Sequence, residues 1–221
     1  MSKHLERDME HLHRHILDLS SMVEEMIDKA ILALGDRRRD LTAEVVNADS
    51  AVDKFEVQIE EECLKILALH QPVAADLRRI ATVMKVNNDL ERIADLAVNI
   101  AERADAINAY AEFPIPDQFG RMVTLSTQMV RGAMDAFVNL DAQSARRILR
   151  LDDEVDQHNR DIIAELQIIM QKHADLVPAA LHCFSAARHV ERIADHATNI
   201  AEDVVYLAEG EIVRHKKSLQ A

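Results

Sequence analysis

Apolar residues recur every three or four positions along most of this chain, which is the spacing of a helix with one buried face. The first such stretch covers residues 5–34 and stops at Gly35. The second begins near Leu41, where Thr42 is available as an N-terminal cap, and it extends to about His70. The pattern therefore predicts two long amphipathic helices at the start of the chain.

A third helix is expected to start at Pro72, because proline is favoured in the first turn. It ends before residues 110–116, which contain two closely spaced prolines and form the best candidate for a linker. The pattern then restarts, and Gly210 supplies the last stop. The predicted helices of the second half cover about residues 117–140, 142–173 and 178–209. The same three-helix order thus occurs twice.

The two halves share a twelve-residue sequence. Residues 91–102 and residues 191–202 are identical at ten of twelve positions. The retained polar pairs are Glu91/Glu191, Asp95/Asp195, Asn99/Asn199 and Glu102/Glu202. Because an internal repeat sets the architecture, the chain is predicted to be all-α, with two tandem three-helix bundles related by a pseudo-two-fold axis. The expected boundaries are residues 1–112 and 113–221.

The composition supports helix and restricts the function. Aromatic residues make up 3 % of the chain, and there are only four glycines and four prolines, so a β-rich fold is disfavoured. The net charge of −13 disfavours nucleic-acid binding. Cys63 and Cys183 have no motif spacing and are expected to be buried, reduced thiols of a cytoplasmic protein. No secretory leader pattern and no membrane-spanning apolar run occurs in the sequence.

The acidic residues of the repeated sequence lie opposite its apolar stripe when the segment is drawn as a helix. A solvated polar face is the simplest explanation of one such copy. However, carboxylates four residues apart repel one another, so helix stability does not explain their retention. Solvent-facing positions of a duplicated sequence should also diverge first, yet these do not. The comparison favours a duplicated acidic site.

The preceding helix of each half carries a second acidic pair with the same spacing of four residues. Clustered carboxylates are costly unless a cation compensates them, and oxygen-rich sites suit hard or borderline metal ions. The candidate ligands are Asp49, Asp53, Glu91 and Asp95 in the first half, and Asp152, Asp156, Glu191 and Asp195 in the second.

The histidines indicate a metal site less strongly than the carboxylates do. His11 and His15 are four residues apart on the first helix and are able to chelate a metal, but no partner motif accompanies them, so we favour a mixed polar face. His189 and His196 have no counterparts in the first copy of the repeat and are not counted as ligands. No nucleophile–base pair and no phosphate-binding glycine loop is present. Enzymatic catalysis is therefore not expected.

The motif Glu-Arg-Ile-Ala-Asp at residues 91–95 and 191–195 resembles the paired acidic motifs of the PhoU family. Residues 70–78, His-Gln-Pro-Val-Ala-Ala-Asp-Leu-Arg, are similar to a second family motif that opens the third helix. Ala94 and Ala194 stand where the family commonly has glycine, a change that favours helix. The resemblance extends over essentially the whole chain.

The resemblance implies a cytoplasmic, often dimeric regulator that is peripheral to the membrane through its partners. Such proteins damp the phosphate-starvation response by linking the phosphate ABC transporter to a sensor histidine kinase, and their acidic motifs bind metal clusters. The metal is expected to be iron, zinc, manganese or magnesium, held by the eight carboxylates named above. Possible outer groups are Asn99, Glu102, Asn199 and Glu202.

Two other functions are compatible with the same residues. A helical scaffold would use its acidic faces to bind a basic partner without metal. A metal-dependent hydrolase of phosphorylated substrates would require catalytic companions that the sequence does not contain. The non-enzymatic regulatory adaptor is the preferred hypothesis.

Overall fold

A computed structural model describes residues 3–213, and these contain six long α-helices and one short 3-10 turn, with no strand. The helices are α1 (Lys3–Gly35), α2 (Arg39–His70), α3 (Ala74–Ile107), α4 (Asp117–Asn139), α5 (Ala142–Lys172) and α6 (Val177–Glu209), and the turn covers Ala174–Leu176. The predicted all-α class is confirmed.

Two of the predicted helix starts are wrong in detail. Helix α2 begins at Arg39, so Thr42 lies inside the helix, where its hydroxyl donates to the carbonyl oxygen of Ala101 on α3 at 3.4 Å. Helix α3 begins at Ala74, and Pro72 precedes it instead of opening it. Both helix starts depend on tertiary contact and on the connecting turn. The apolar period of the sequence contains no information on either.

Gly210 ends α6 as predicted. Its backbone has a φ of +74°, a left-handed conformation that favours glycine, and its N–H donates to the carbonyl oxygen of Tyr206. The predicted linker between α3 and α4 is fixed to the first bundle. The Arg37 guanidinium donates to the carbonyl oxygens of Tyr110 and Phe113 at 3.1 and 3.2 Å, and the Phe113 ring is buried.

The helices form two bundles of three that meet along α3 and α6. Helices α1, α2 and α3 pack on one another, as do α4, α5 and α6. The only other contact between the bundles, within residues 3–213, joins α1 to α4. The predicted boundary at residues 112/113 lies in the connection between α3 and α4 and stays a prediction, and its second unit extends into residues 214–221, outside the described part of the chain.

Helices α3 and α6 are antiparallel. Lys85 contacts Asp203 at 3.0 Å, and Asp89 contacts His196 at 2.8 Å, so residue numbers rise along α3 as they fall along α6. Continuing this pairing along both helices places Ile93 and Ala94 opposite Ile193 and Ala194, the same residues of the second copy. The pseudo-two-fold axis therefore passes close to the start of the duplicated segment.

The core is built from the apolar half of the repeat and from the stripes of the other helices. Ile93, Ile100 and their counterparts Ile193 and Ile200 are almost completely buried. Each such side chain contributes about 1.5–3 kcal/mol through the water that it leaves. These residues join each motif helix to the two other helices of its own bundle.

The two cysteines are buried and unpaired, as predicted. Burial raises the pKa of both the Cys63 and the Cys183 thiol to about 12, so neither is a thiolate near neutral pH. In the part of the chain that the structure describes, none of the helices combines the length and apolarity needed to cross a bilayer.

Replacement of Ile93 by alanine should destabilise the protein by about 2–5 kcal/mol, because it leaves a cavity at a fully buried position of α3. The matched control is Ile168→Ala on α5, where half of the side chain is already exposed and the loss should stay below about 1 kcal/mol. Urea unfolding of both variants measures the difference. Equal losses would contradict the assignment of Ile93 to the core.

Candidate functional site

The predicted acidic residues line two grooves, one between α2 and α3 and the other between α5 and α6. In the first groove, burial and the negative charges of Asp53 and Asp95 raise the pKa of the Asp49 carboxyl above its usual value. Asp49 and Asp53 stand on α2 whereas Asp95 stands on α3, so the two acidic pairs face one another. The structure brings together the first four carboxylates that the sequence grouped.

Glu91 occupies the inner part of this groove. Burial raises the pKa of its carboxyl, and so do the charges of Asp95, Asp53 and Glu56, whereas the Arg92 guanidinium lowers it. Arg92 Nη1 lies 3.1 Å from Asp95 Oδ2, and its Nε lies 3.4 Å from Glu91 Oε2. One exposed arginine thus offsets part of the repulsion within the motif.

Two groups outside the predicted ligand set also belong to the first groove. Glu56 lies on the acidic side of α2, and burial and the charges of Glu60 and Asp53 raise the pKa of its carboxyl. The buried amide of Asn87 on α3 donates to both the backbone oxygen and Oε1 of Glu56 at 3.0 Å. The spacing of Glu56 from Asp53 was visible in the sequence, but its connection to Asn87 was not.

The second groove repeats the arrangement with fewer charges. Burial and the charges of Asp156 and Asp195 raise the pKa of the Glu191 carboxyl, while Arg188 and Asn159 lower it. Partial dehydration and the charge of Asp156 likewise raise the pKa of Asp195, although this residue is exposed at the mouth of the groove. Asp152 lies one turn before Asp156 on α5 and is half-buried.

The two grooves are not equivalent. The spacing that relates Asp49 to Asp152 places Asn159 where the first half has Glu56. The spacing of the repeated sequence places Ala187 where the first half has Asn87. The first groove therefore carries an additional carboxylate with its own amide donor, and it is the more acidic of the two.

The four possible outer groups lie around the seam between α3 and α6. The Asn99 amide donates to the carbonyl oxygen of Asp95 at 2.7 Å, and Glu102 accepts from Arg103 at 3.3 Å. The Asn199 amide donates across the seam to Asp89 at 3.3 Å. Glu202 is half-buried on α6. Their assignment as outer groups of a metal site stays a prediction.

His196 of α6 has a partner on α3, whereas His189 contacts Ser185 on its own helix at 3.3 Å. His196 Nδ1 lies 2.8 Å from Asp89 Oδ1, and this carboxylate is almost fully buried. Burial and the positive charges of Arg192 and Arg103 lower the pKa of His189. The Asp89–His196 contact makes the seam asymmetric, because the second copy has His189 in place of Asp89 and the first copy has Leu96 in place of His196.

The carboxylate oxygens are spread along the grooves: among the described residues, no three of them from these two clusters lie within 4.8 Å of one another. The oxygen-only donor set suits hard cations, which would draw the carboxylates together by offsetting their repulsion.

The family model described as the PhoU domain matches residues 16–104 and 119–204. The phosphate-specific transport system accessory protein PhoU of Serratia marcescens is 32 % identical over 208 residues, which are 94 % of this chain and 86 % of that protein. A homologue of the same name from Aquifex aeolicus is 36 % identical over 210 residues, covering 95 % of each chain.

Solved structures show the same fold. The crystal structure of PhoU from Pseudomonas aeruginosa superposes with a TM-score of 0.88 at 34 % identity, over 93 % of this chain and 99 % of that one. The phosphate transport system regulatory protein PhoU from Streptococcus pneumoniae also gives a TM-score of 0.88, at 29 % identity, over 95 % of this chain and 99 % of that one.

Replacement of Asp53 by asparagine should stabilise the metal-free protein by about 0.2–0.5 kcal/mol, because the Asp53 charge opposes ionisation of three neighbouring carboxyls. Urea unfolding in chelator at neutral pH and low salt measures the gain. The control Glu61→Gln removes an equal charge from an exposed position of the same helix. A loss of stability in Asp53→Asn, or an equal gain in Glu61→Gln, would contradict the repulsive groove.

The gain in stability expected for Asp53→Asn depends on pH. The pKa values of Asp49, Glu56 and Glu91 are raised in the folded state, so these groups bind protons more tightly there than in the unfolded chain. Their ionisation destabilises the fold as pH rises through the raised folded values, and protonation removes this penalty as pH falls towards their ordinary values near 3.8 and 4.5. The stabilising effect of Asp53→Asn should therefore shrink as the pH is lowered towards 4.

Proposed function

This chain belongs to the PhoU family, and from that membership we propose that it is a regulatory adaptor of phosphate uptake whose acidic grooves bind metal ions. Its role as an accessory protein in phosphate transport follows from relatives that align over nearly its full length and carry that name. Those relatives are named as accessory or regulatory proteins and not as enzymes, in agreement with the non-enzymatic prediction.

The duplicated carboxylate groove is the observation that supports the metal part of this proposal. Desolvation and repulsion both raise the pKa of Asp49 and Glu91, and a cation bound between α2 and α3 relieves both costs. The groups that would hold it are the four carboxylates of each groove named in the sequence, with Glu56 as an additional ligand in the first. A bound cation would supply positive charge that joins the two helices of each groove.

The partner part of the proposal concerns the acidic face that the motif helices carry. We propose that the protein acts in the cytoplasm as a negative regulator of the phosphate-starvation response, as a homodimer that joins the phosphate ABC transporter to a sensor histidine kinase. A net charge of −13 favours association with a basic surface on either partner. The alternative is a metal-independent scaffold that uses the same acidic face.

Purified wild-type protein should contain metal that the Asp95→Ala/Asp195→Ala variant lacks, because each substitution removes a groove carboxylate. Elemental analysis after growth in defined medium identifies the ion, and circular dichroism checks the fold. The control Asp105→Ala/Asp161→Ala removes two exposed carboxylates outside the grooves and should keep the metal. Negligible metal in the wild type would refute metal binding and favour the scaffold.

Affinity capture from cells at high phosphate should recover components of the transporter and the sensor kinase, with less recovery at low phosphate. Capture that persists in chelator but fails at high salt would favour the metal-independent scaffold. Cleavage of model phosphate esters by the wild type, lost in Glu91→Gln, would instead support a hydrolase. Absence of both partners under every condition would refute the adaptor proposal.

A further inference from the structure

The side of the first bundle away from the acidic grooves carries a compact cluster of nitrogen and oxygen donors. His11 and His15 stand one turn apart on α1, and Glu62 on α2 reaches between them. One ligand atom from each of the three residues lies within 4.8 Å of the other two, and no other such group of histidine, cysteine or acidic residues occurs in residues 3–213. We propose that this cluster binds a Zn²⁺ ion.

The carboxylate of Glu62 is already shared between the two imidazoles. Its Oε2 lies 3.0 Å from His15 Nδ1, and its Oε1 lies 3.6 Å from His11 Nδ1. In tetrahedral zinc sites, Zn–N and Zn–O bonds of about 2.0–2.2 Å place neighbouring ligand atoms about 3.3 Å apart. Side-chain rotation alone thus brings the three donors to the spacing of a zinc site.

Packing prepares part of this geometry. The His15 ring lies against Phe55 on α2, with ring centroids 5.3 Å apart, and it is largely buried. The His11 ring meets the His15 ring edge-on at 4.2 Å and is about half exposed. One imidazole is therefore fixed by its neighbours, and the other is free to rotate towards an ion.

Access and coordination number also fit. A cavity of about 340 Å³ opens beside His11 and Glu62, with Asp8 and the basic residues Arg7, Arg14 and Lys65 also in its wall, and it gives an ion access to these two donors. Two histidines and one glutamate with a fourth position for water form a known class of zinc site. Cys63, the next residue along α2, is not a fourth ligand, because it is buried in the core and burial raises the pKa of its thiol to about 12.

This cluster is separate from the acidic grooves. Glu62 lies nine residues after Asp53, which is about half a turn around α2, so the two face different neighbouring helices. The donor sets also differ, since imidazole nitrogen favours zinc and related ions whereas the grooves offer oxygen alone. The inference therefore does not depend on metal binding in the grooves.

Zinc titration of chelator-stripped protein against a competing chromophoric chelator tests the cluster. His11→Gln and Glu62→Gln should each weaken one zinc site by at least about 100-fold, since loss of a direct ligand exceeds the loss known for outer groups. His4→Gln, an exposed histidine seven residues before His11 on the same side of α1, should bind as the wild type does. Unchanged stoichiometry and affinity in both ligand variants would overturn the proposal.

Two further measurements separate this site from the grooves. The Asp95→Ala/Asp195→Ala variant should keep the zinc that His11→Gln loses, whatever metal the grooves hold. In nuclear magnetic resonance spectra, zinc should shift the imidazole signals of His11 and His15 in the wild type but not in Glu62→Gln. Shifts confined to other histidines would place the ion elsewhere and contradict the assignment.

Discussion

The antiparallel packing of α3 on α6 is the constraint on which the rest of the structure depends. Each of these helices contacts the two other helices of its own bundle and its counterpart across the seam. Three sides of each are therefore occupied, and only the polar stripe is left open. This explains why small and aliphatic residues such as Ala94, Ala97 and Ile100 are buried in both copies, whereas the acidic residues between them remain accessible to ions or partners.

The acidic grooves show that the two parts of the repeated sequence serve different needs. The apolar part packs each motif helix against the other helices of its bundle, and the acidic part faces α2 or α5, where it meets a second row of carboxylates. Repulsion and dehydration raise the pKa of these groups, so the grooves carry an electrostatic cost in the absence of cations. Because both grooves carry this electrostatic cost, we infer that their negative charge has a function. The proposals of metal binding and of partner recognition both follow from it.

The departures from symmetry mark where the two halves differ in chemistry. At the seam between α3 and α6, Asp89 contacts His196 and Asn199, and the pseudo-two-fold axis does not repeat this set of contacts. The first groove contains Glu56 and its donor Asn87, where the second half has Asn159 and Ala187. The histidine cluster occurs only in the first bundle, among the residues that the structure describes. The two halves thus share their packing and their acidic pairs, whereas their other polar contacts differ.

The sequence by itself determined the helices, because a period of 3.6 residues is a local property, and it determined the duplication, because the two copies are read directly. Spacing along single helices also singled out eight carboxylates as candidate metal ligands, an assignment that stays a prediction; the structure brings seven of them together in their two groups. It was wrong about Thr42 and Pro72, and it gave no sign of the contacts from His15 to Glu62 or from Asp89 to His196, which join residues 47 and 107 positions apart. Such contacts depend on the rotation of each helix about its axis and on its axial offset from its neighbour. That is set by the packing of whole apolar faces, so only the tertiary structure decided them.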